Sequence, residues 1–230
     1  MSLITAKSIT KFYGTTKDPI KALGPVDLTV TKGSFTVILG RSGSGKSTLL
    51  NLIAGLDKAT SGELVVGEDN LSRSSQKQLA KYRGKIGIIF QFYNLLPNLN
   101  TLENVLMGGW ASGKNPSEAQ AIELLKQFGL EHRLKANTKT LSGGEKQRVA
   151  ICRSLIGNPE ILLCDEPTGA LDSVNEDQVR QILVDLNKNQ GLTILMVTHN
   201  PDFAKIATQI VTMKDGLATV ENSAKQLAQV

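Results

Sequence analysis

No apolar run in this chain approaches the ~20 residues that a membrane-spanning helix needs. The N-terminus carries no apolar secretion-signal core. The expectation is an intracellular, soluble protein, at most peripheral to a membrane. Cysteine is nearly absent: Cys152 and Cys164 sit in apolar surroundings without metal-ligand spacing, which predicts reduced, buried thiols. Basic residues outnumber acidic ones, 26 to 21, for a net charge of +5, yet they are scattered, with no run of four. That pattern describes a solvated basic surface rather than a nucleic-acid footprint. Linkers, internal repeats and low-complexity tracts are missing, apart from a polar tail after Glu221. With 40% hydrophobic and 20% charged residues over 230 positions, the chain can hold one large domain or two small lobes on connected cores.

What is present is organised around Phe35 to Thr48, an apolar run feeding a Gly-rich turn that ends in Lys-Ser-Thr. It reads as a phosphate cradle. Gly is needed where a Cβ would block phosphate or force a strained φ, and backbone amides then point inward. Lys46 supplies a point charge, and Ser47 can hold Mg²⁺. The following Leu49 to Ala54 segment is helix-forming, so the turn sits at a helix N-terminus that favours an anion. The pattern G-x-x-x-x-G-K-[ST] should occur by chance in about one chain of this length in a hundred, and here the strand before and helix after are both in place.

Residues 3–9 and 26–30 read as strands ahead of this turn. Between them, Tyr13 precedes a polar loop from Thr15 to Pro19. Its ring reads equally as an adenine-stacking face and as strand-end packing. Glu63 to Val66 is a further strand after the polar turn Gly55 to Gly62, and Ser75 to Arg83 a short basic helix. Ile86 to Phe90 is a nearly continuous apolar run, as in strands buried on both faces. It ends in Gln91, at the strand end where open α/β sheets place ligands; loop polarity explains that amide as well. From Tyr93 to Lys139 the pattern turns helical, with Thr101 to Leu106 and then Ala119 to Phe128, the latter opened by an Asn115 cap, Pro116 at the first position and Glu118 at the third.

Ser142 and Glu145 fit a capping box for a helix running to about Ile156. The cap does not explain Gly143 and Gly144, which are unfavourable in a first turn; close approach of an anion would. Ile161 to Cys164 is a buried strand ending in Asp165 and Glu166. Two carboxylates there suit one Mg²⁺ partner, through water, and one group that orients or deprotonates an attacking water. Capping the next helix is the competing use, but Ser173 with Glu176 fits that cap, after the turn Gly169 to Asp172. Leu192 to Val197 is another buried strand. It delivers His199 to the same edge as Gln91, Asp165 and Glu166, just before an Asn200-Pro201 helix start.

In this order and spacing, the motifs resemble the nucleotide-binding subunit of ATP-binding cassette (ABC) transporters over essentially the whole chain. The residues carrying the resemblance are the Gly40 to Ser47 loop, Gln91, the Leu141 to Glu145 signature, Asp165-Glu166, Asp172 and His199. The stretches Phe90 to Pro97, Glu103 to Val105 and Asp165 to Ser173 are similar to the group serving lipoprotein release, macrolide and antimicrobial-peptide export, and cell division. The resemblance implies an α/β P-loop NTPase fold: a RecA-like core, an N-terminal antiparallel β region and an inserted helical lobe. Within a single domain over 1–230, segments 1–92 and 140–230 would form the α/β lobe and about 93–139 the helical lobe.

The resemblance also implies roles. Tyr13 would stack on adenine. Gly40, Ser42, Gly43, Ser44, Gly45, Lys46, Ser47 and Thr48 would hold the phosphates of ATP, with Ser47, Gln91 and Asp165 around Mg²⁺. Glu166 would be the general base, His199 would steady the γ-phosphate, and Gln91 would also contact the attacking water and relay to the partner. Ser142, Gly143 and Gly144 would bind ATP held by a second copy, and Asp172 would cross that interface. Two positions depart from the family pattern: Asn200 follows His199 where an acid is common, and Cys164 precedes Asp165 where a small or aliphatic residue is usual. The reading is an ATPase that powers an integral membrane permease by ATP-driven dimer closure, on the cytoplasmic face of the membrane. An ABC-type ATPase acting on nucleic acid would explain the positive charge; no nucleic-acid partner is expected, because the customary coiled-coil, zinc or tandem insertions are missing. A small-molecule kinase would leave the signature and His199 idle.

Overall fold

A computed structural model describes residues 1–15 and 17–222 of the chain. The polar tail therefore lies outside the described residues from position 223 on, as does Thr16 of the Thr15 to Pro19 loop. The chain opens with a long hairpin, β1 (Ser2–Thr15) and β2 (Asp18–Thr31), then β3 (Phe35–Leu39) and α1 (Lys46–Ile53). Next come β4 (Ser61–Val66), β5 (Asp69–Asn70), α2 (Gln76–Arg83) and β6 (Ile86–Ile89). Helices α3 (Thr101–Ala111), α4 (Glu118–Gln127) and α5 (Gly143–Leu155) follow. The chain then runs through β7 (Ile161–Asp165), α6 (Ser173–Gln190), β8 (Thr193–Thr198), β9 (Gln209–Lys214) and β10 (Leu217–Asn222).

Two sheets result. One is antiparallel, in the order β2-β1-β4-β5; the other runs β10-β9-β3-β8-β7-β6, parallel except for the terminal hairpin β9-β10. The predominantly apolar sequences of β3, β7 and β8 have a simple cause: they occupy the interior of the second sheet, covered on both faces, and nearly all their side chains are buried. α1 and the antiparallel sheet share one core, through Leu49, Leu52 and Ile53 against Ile4, Val26 and Leu64. α6 covers the other face through Val179, Leu183 and Leu186. A third cluster joins α3, α4 and one side of α5, with Val105, Ala121, Leu125 and Val149 at its centre.

Several local expectations needed correction. α4 begins two residues later than its Asn-Pro signal, because Ser117 is the cap: its hydroxyl accepts from the Gln120 amide and the Gln120 side chain answers in a capping box. Pro116 is held outside the helix because its ring packs on Gly109 of α3, where a Cβ would overlap it. α6 is capped by Asp172 rather than by Ser173. The hairpin β9-β10 had no sequence expectation, although Asp215-Gly216 between apolar runs is a hairpin signal. Both residues take positive φ, 50° and 77°, as a type I′ turn requires.

Candidate active site

The cradle is built by strand, turn and helix in succession. β3 runs between β8 and β9 and delivers Gly40 to the sheet edge. Gly43 and Gly45 then take φ of 79° and 98°, a region that side chains disfavour. A Cβ on Gly45 would also stand 2.8 Å from the Ala22 carbonyl oxygen. Among the described residues no side chain caps α1, so its first amides are left for a ligand. Lys46 is only 6% exposed; its Nζ donates to the carbonyls of Gly40 at 2.8 Å and Arg41 at 3.0 Å. The ammonium is thus folded across its own loop.

Consecutive strands of the same sheet bring the remaining groups to that edge. β7 carries Asp165, whose Oδ1 accepts from the Ser47 hydroxyl at 3.2 Å. Burial pushes Asp165 above the ordinary carboxylate range, the Ser47 hydrogen bond opposes that rise, and neighbouring Glu166 adds to it. Glu166 itself sits at φ 45°, a strained backbone for a glutamate. Its Oε2 lies 2.7 Å from Nδ1 of His199, the residue just after β8. A cavity of about 420 Å³ is lined by Ser42, Gly43, Gly45, Lys46, Ser47, Thr48, Gln91, Asp165 and Glu166, together with Ile20, Lys21 and Ala22 of the hairpin. β6 ends at Ile89, so Gln91 reaches this cavity from the turn after it.

These residues suit a Mg²⁺-bound nucleotide: open amides and a buried ammonium for phosphates, and a hydroxyl beside a carboxylate for the cation. A match to the family model described as ABC transporter covers residues 23–169. The chain belongs to the ABC transporter family. As an ABC transporter ATPase, it couples hydrolysis of ATP, with Mg²⁺, to transport. Among its relatives, the lipoprotein-releasing system ATP-binding protein LolD of Idiomarina loihiensis is 39% identical over 219 residues, 94% of this chain and 96% of that protein. The macrolide export ATP-binding/permease protein MacB of Mannheimia succiniciproducens is 43% identical over 94% of this chain, but only 34% of MacB is matched. A solved dimeric post-hydrolysis state of the ATP-binding cassette MJ0796, bound to ADP and Pi, superposes with TM-score 0.87 at 39% identity, covering 96% of this chain and 98% of that one.

Other sequence-derived positions of the ABC transporter chain stand apart from this cavity. Ser142 is exposed, and Ser142, Gly143 and Gly144 are absent from the cavity lining. The α5 capping box is present: Ser142 Oγ accepts from the Glu145 amide at 3.2 Å and Glu145 Oε2 from the Ser142 amide at 2.8 Å. The close approach that explains Gly144 comes from within the chain, since a Cβ there would overlap the Asn175 side chain of α6; Gly143 faces the Tyr93 hydroxyl. Asp172 accepts from the Asn175 amide at 2.9 Å and from the Asn175 side chain at 2.8 Å, and these bonds lower its pKa. Tyr13 is 42% exposed, not part of a core. Asn200, the departure after His199, donates to Glu176 Oε1 at 2.6 Å, a bond an acidic residue could not make while ionised. Sequence reasoning missed Arg153, which donates to the carbonyls of Tyr93 at 2.7 Å and Asn94 at 2.5 Å. Both partners have positive φ, and burial pulls the Arg153 pKa down. Nothing in the α5 sequence singles this arginine out, because its partners lie about 60 residues away.

Proposed function

We propose that two copies of this chain sandwich two ATP molecules head to tail, with Glu166 as the general base of hydrolysis. The observation that carries the reading is the 2.7 Å pairing of Glu166 with His199 at the rim of the cavity that holds Lys46, Ser47, Asp165 and Gln91. Glu166 takes the proton of the attacking water, and His199 fixes the carboxylate that does so and steadies the γ-phosphate side. The cradle amides and Lys46 hold the phosphates, and Tyr13 stacks on the base. Mg²⁺ would be held by Ser47, Gln91 and Asp165, and it supplies charge neutralisation at the phosphates. Catalysis of this kind is mainly positioning and charge stabilisation.

Ser142, Gly143 and Gly144 serve the site of the second copy, a reading supported by their absence from the lining of their own cavity, and Asp172 lies on the shared interface. The partner is an integral membrane permease, and the work it is given is lipoprotein release or export, in line with the printed names of the LolD and MacB relatives. A groove of about 420 Å³ lined by Phe90, Leu96, Met107, Ala111 and Arg153 adjoins Gln91 and suits a docking element of that permease. No described helix is long and apolar enough to cross a membrane; the subunit would sit peripherally on the cytoplasmic face. Replacement Glu166→Gln should lower phosphate release about 100-fold or more while ATP still binds. Turnover at the parental rate would assign the base elsewhere.

A further inference from the structure

The Tyr13 ring stands near the turn of the β1-β2 hairpin, paired with Ile20 and 42% exposed. A ring in that position turns freely about two side-chain torsions unless something holds it. Here one carboxylate and one ammonium do. The Tyr13 hydroxyl donates to Asp57 Oδ2 at 2.9 Å, and Lys11 Nζ stands over the ring at 4.8 Å from its centroid, within cation–π range. Lys11 in turn donates to Asp57 Oδ1 at 2.6 Å and to the Lys58 carbonyl at 2.9 Å. Asp57 is itself fixed, because its Oδ1 accepts from the Lys58 amide at 2.7 Å and its own amide bonds the Asn51 carbonyl of α1 at 3.3 Å. The ring is thereby tied to the helix whose first turn forms the phosphate cradle. Burial pushes Asp57 up, but its bonds from Lys11, Tyr13 and Lys58 hold its pKa below the usual carboxylate value, which keeps it an acceptor for both partners.

We propose that Asp57 and Lys11 are positioning residues that fix the Tyr13 ring for the nucleobase, Lys11 covering one face and leaving the other for adenine. The proposal rests on the reading of Tyr13 as the base-stacking residue. A ring already held in its bound orientation loses less conformational freedom on stacking. The effect therefore belongs in nucleotide affinity, not in the chemical step. A clip that merely pinned the hairpin to α1 would act on the cradle and on any triphosphate alike.

The test uses the full chain, with ATP as substrate and inorganic triphosphate, which has no base, as competitor. Asp57→Ala should raise KM for ATP about fivefold, leave kcat within about twofold, and leave the inhibition constant of inorganic triphosphate unchanged. Tyr13→Phe keeps the ring and drops the anchor, and should move KM the same way by about threefold. In a Tyr13→Ala background, Asp57→Ala should add nothing. Equal weakening of ATP and inorganic triphosphate by Asp57→Ala would overturn the proposal, and so would a full effect of Asp57→Ala on top of Tyr13→Ala. If Asp57→Ala does not fold, an unchanged KM in Tyr13→Phe overturns it instead. A Tyr13→Ala protein with unaltered ATP affinity would sink the stacking reading itself, a result distinguishable from the others.

Discussion

Glu145 ties two neighbouring segments together with one carboxylate. One oxygen closes the capping box on the Ser142 amide, and the other accepts from Arg133 Nε at 2.7 Å, with His132 Nε2 at 3.9 Å. Burial raises the Glu145 pKa, but the Ser142 bonds and the Arg133 guanidinium together bring it below the ordinary value. A group depressed in the folded state stabilises fully above its unfolded pKa and loses that effect as pH falls through the folded one. Glu145→Gln should therefore cost about 1 kcal/mol at neutral pH, and the two proteins should converge as pH drops through and below the ordinary glutamate range. Melting curves across that range check this; an undiminished gap in acid would mean packing rather than charge. The Ser142 half of the arrangement was legible in the sequence, because cap and acid are three residues apart. The Arg133 half was not, because no periodicity links the short 3₁₀ turn Glu131–Arg133 to α5.

At the scale of elements, burial decided what could be read. Runs such as Ile161 to Cys164 and Leu192 to Val197 announce strands because both faces of the parallel sheet are covered. Half-exposed elements leave weaker marks, and the alternating β9 went unanticipated despite its Asp-Gly turn. Helix starts were legible as cap patterns but ambiguous in register, since Asn115-Glu118 and Ser117-Gln120 share one spacing and only the contact of Pro116 with Gly109 separates them. The glycine pair of the signature was visible, but not its reason at Gly144, where α6 presses the Asn175 side chain against α5. Gly144→Ala should lower stability by about 1–3 kcal/mol through overpacking, and Asn175→Gly in the same chain should recover much of it. Chemical denaturation of the single and double variants decides; purely additive losses would show that the two helices do not meet there.

The whole molecule presents half of each proposed site. The cradle, Gln91, Asp165, Glu166 and His199 gather on one sheet edge, whereas Ser142 faces solvent. Motif order made the family legible, and the proposed assignment of Ser142 to a second copy came from that resemblance, since spacing within one chain does not distinguish one copy's site from another's. Ser142→Arg should reduce ATP hydrolysis by about 100-fold or more while changing ATP affinity of the isolated monomer by no more than about twofold. Equal loss in a binding titration would place Ser142 in its own site. The sheet order has a mechanical consequence. β3, which carries the cradle, is laced to a neighbour on each side, but among the described residues β6, which leads to Gln91, is bonded only to β7. Displacing β6 breaks one ladder and displacing β3 breaks two, so the end of the row nearest Gln91 can yield while the phosphate loop stays anchored.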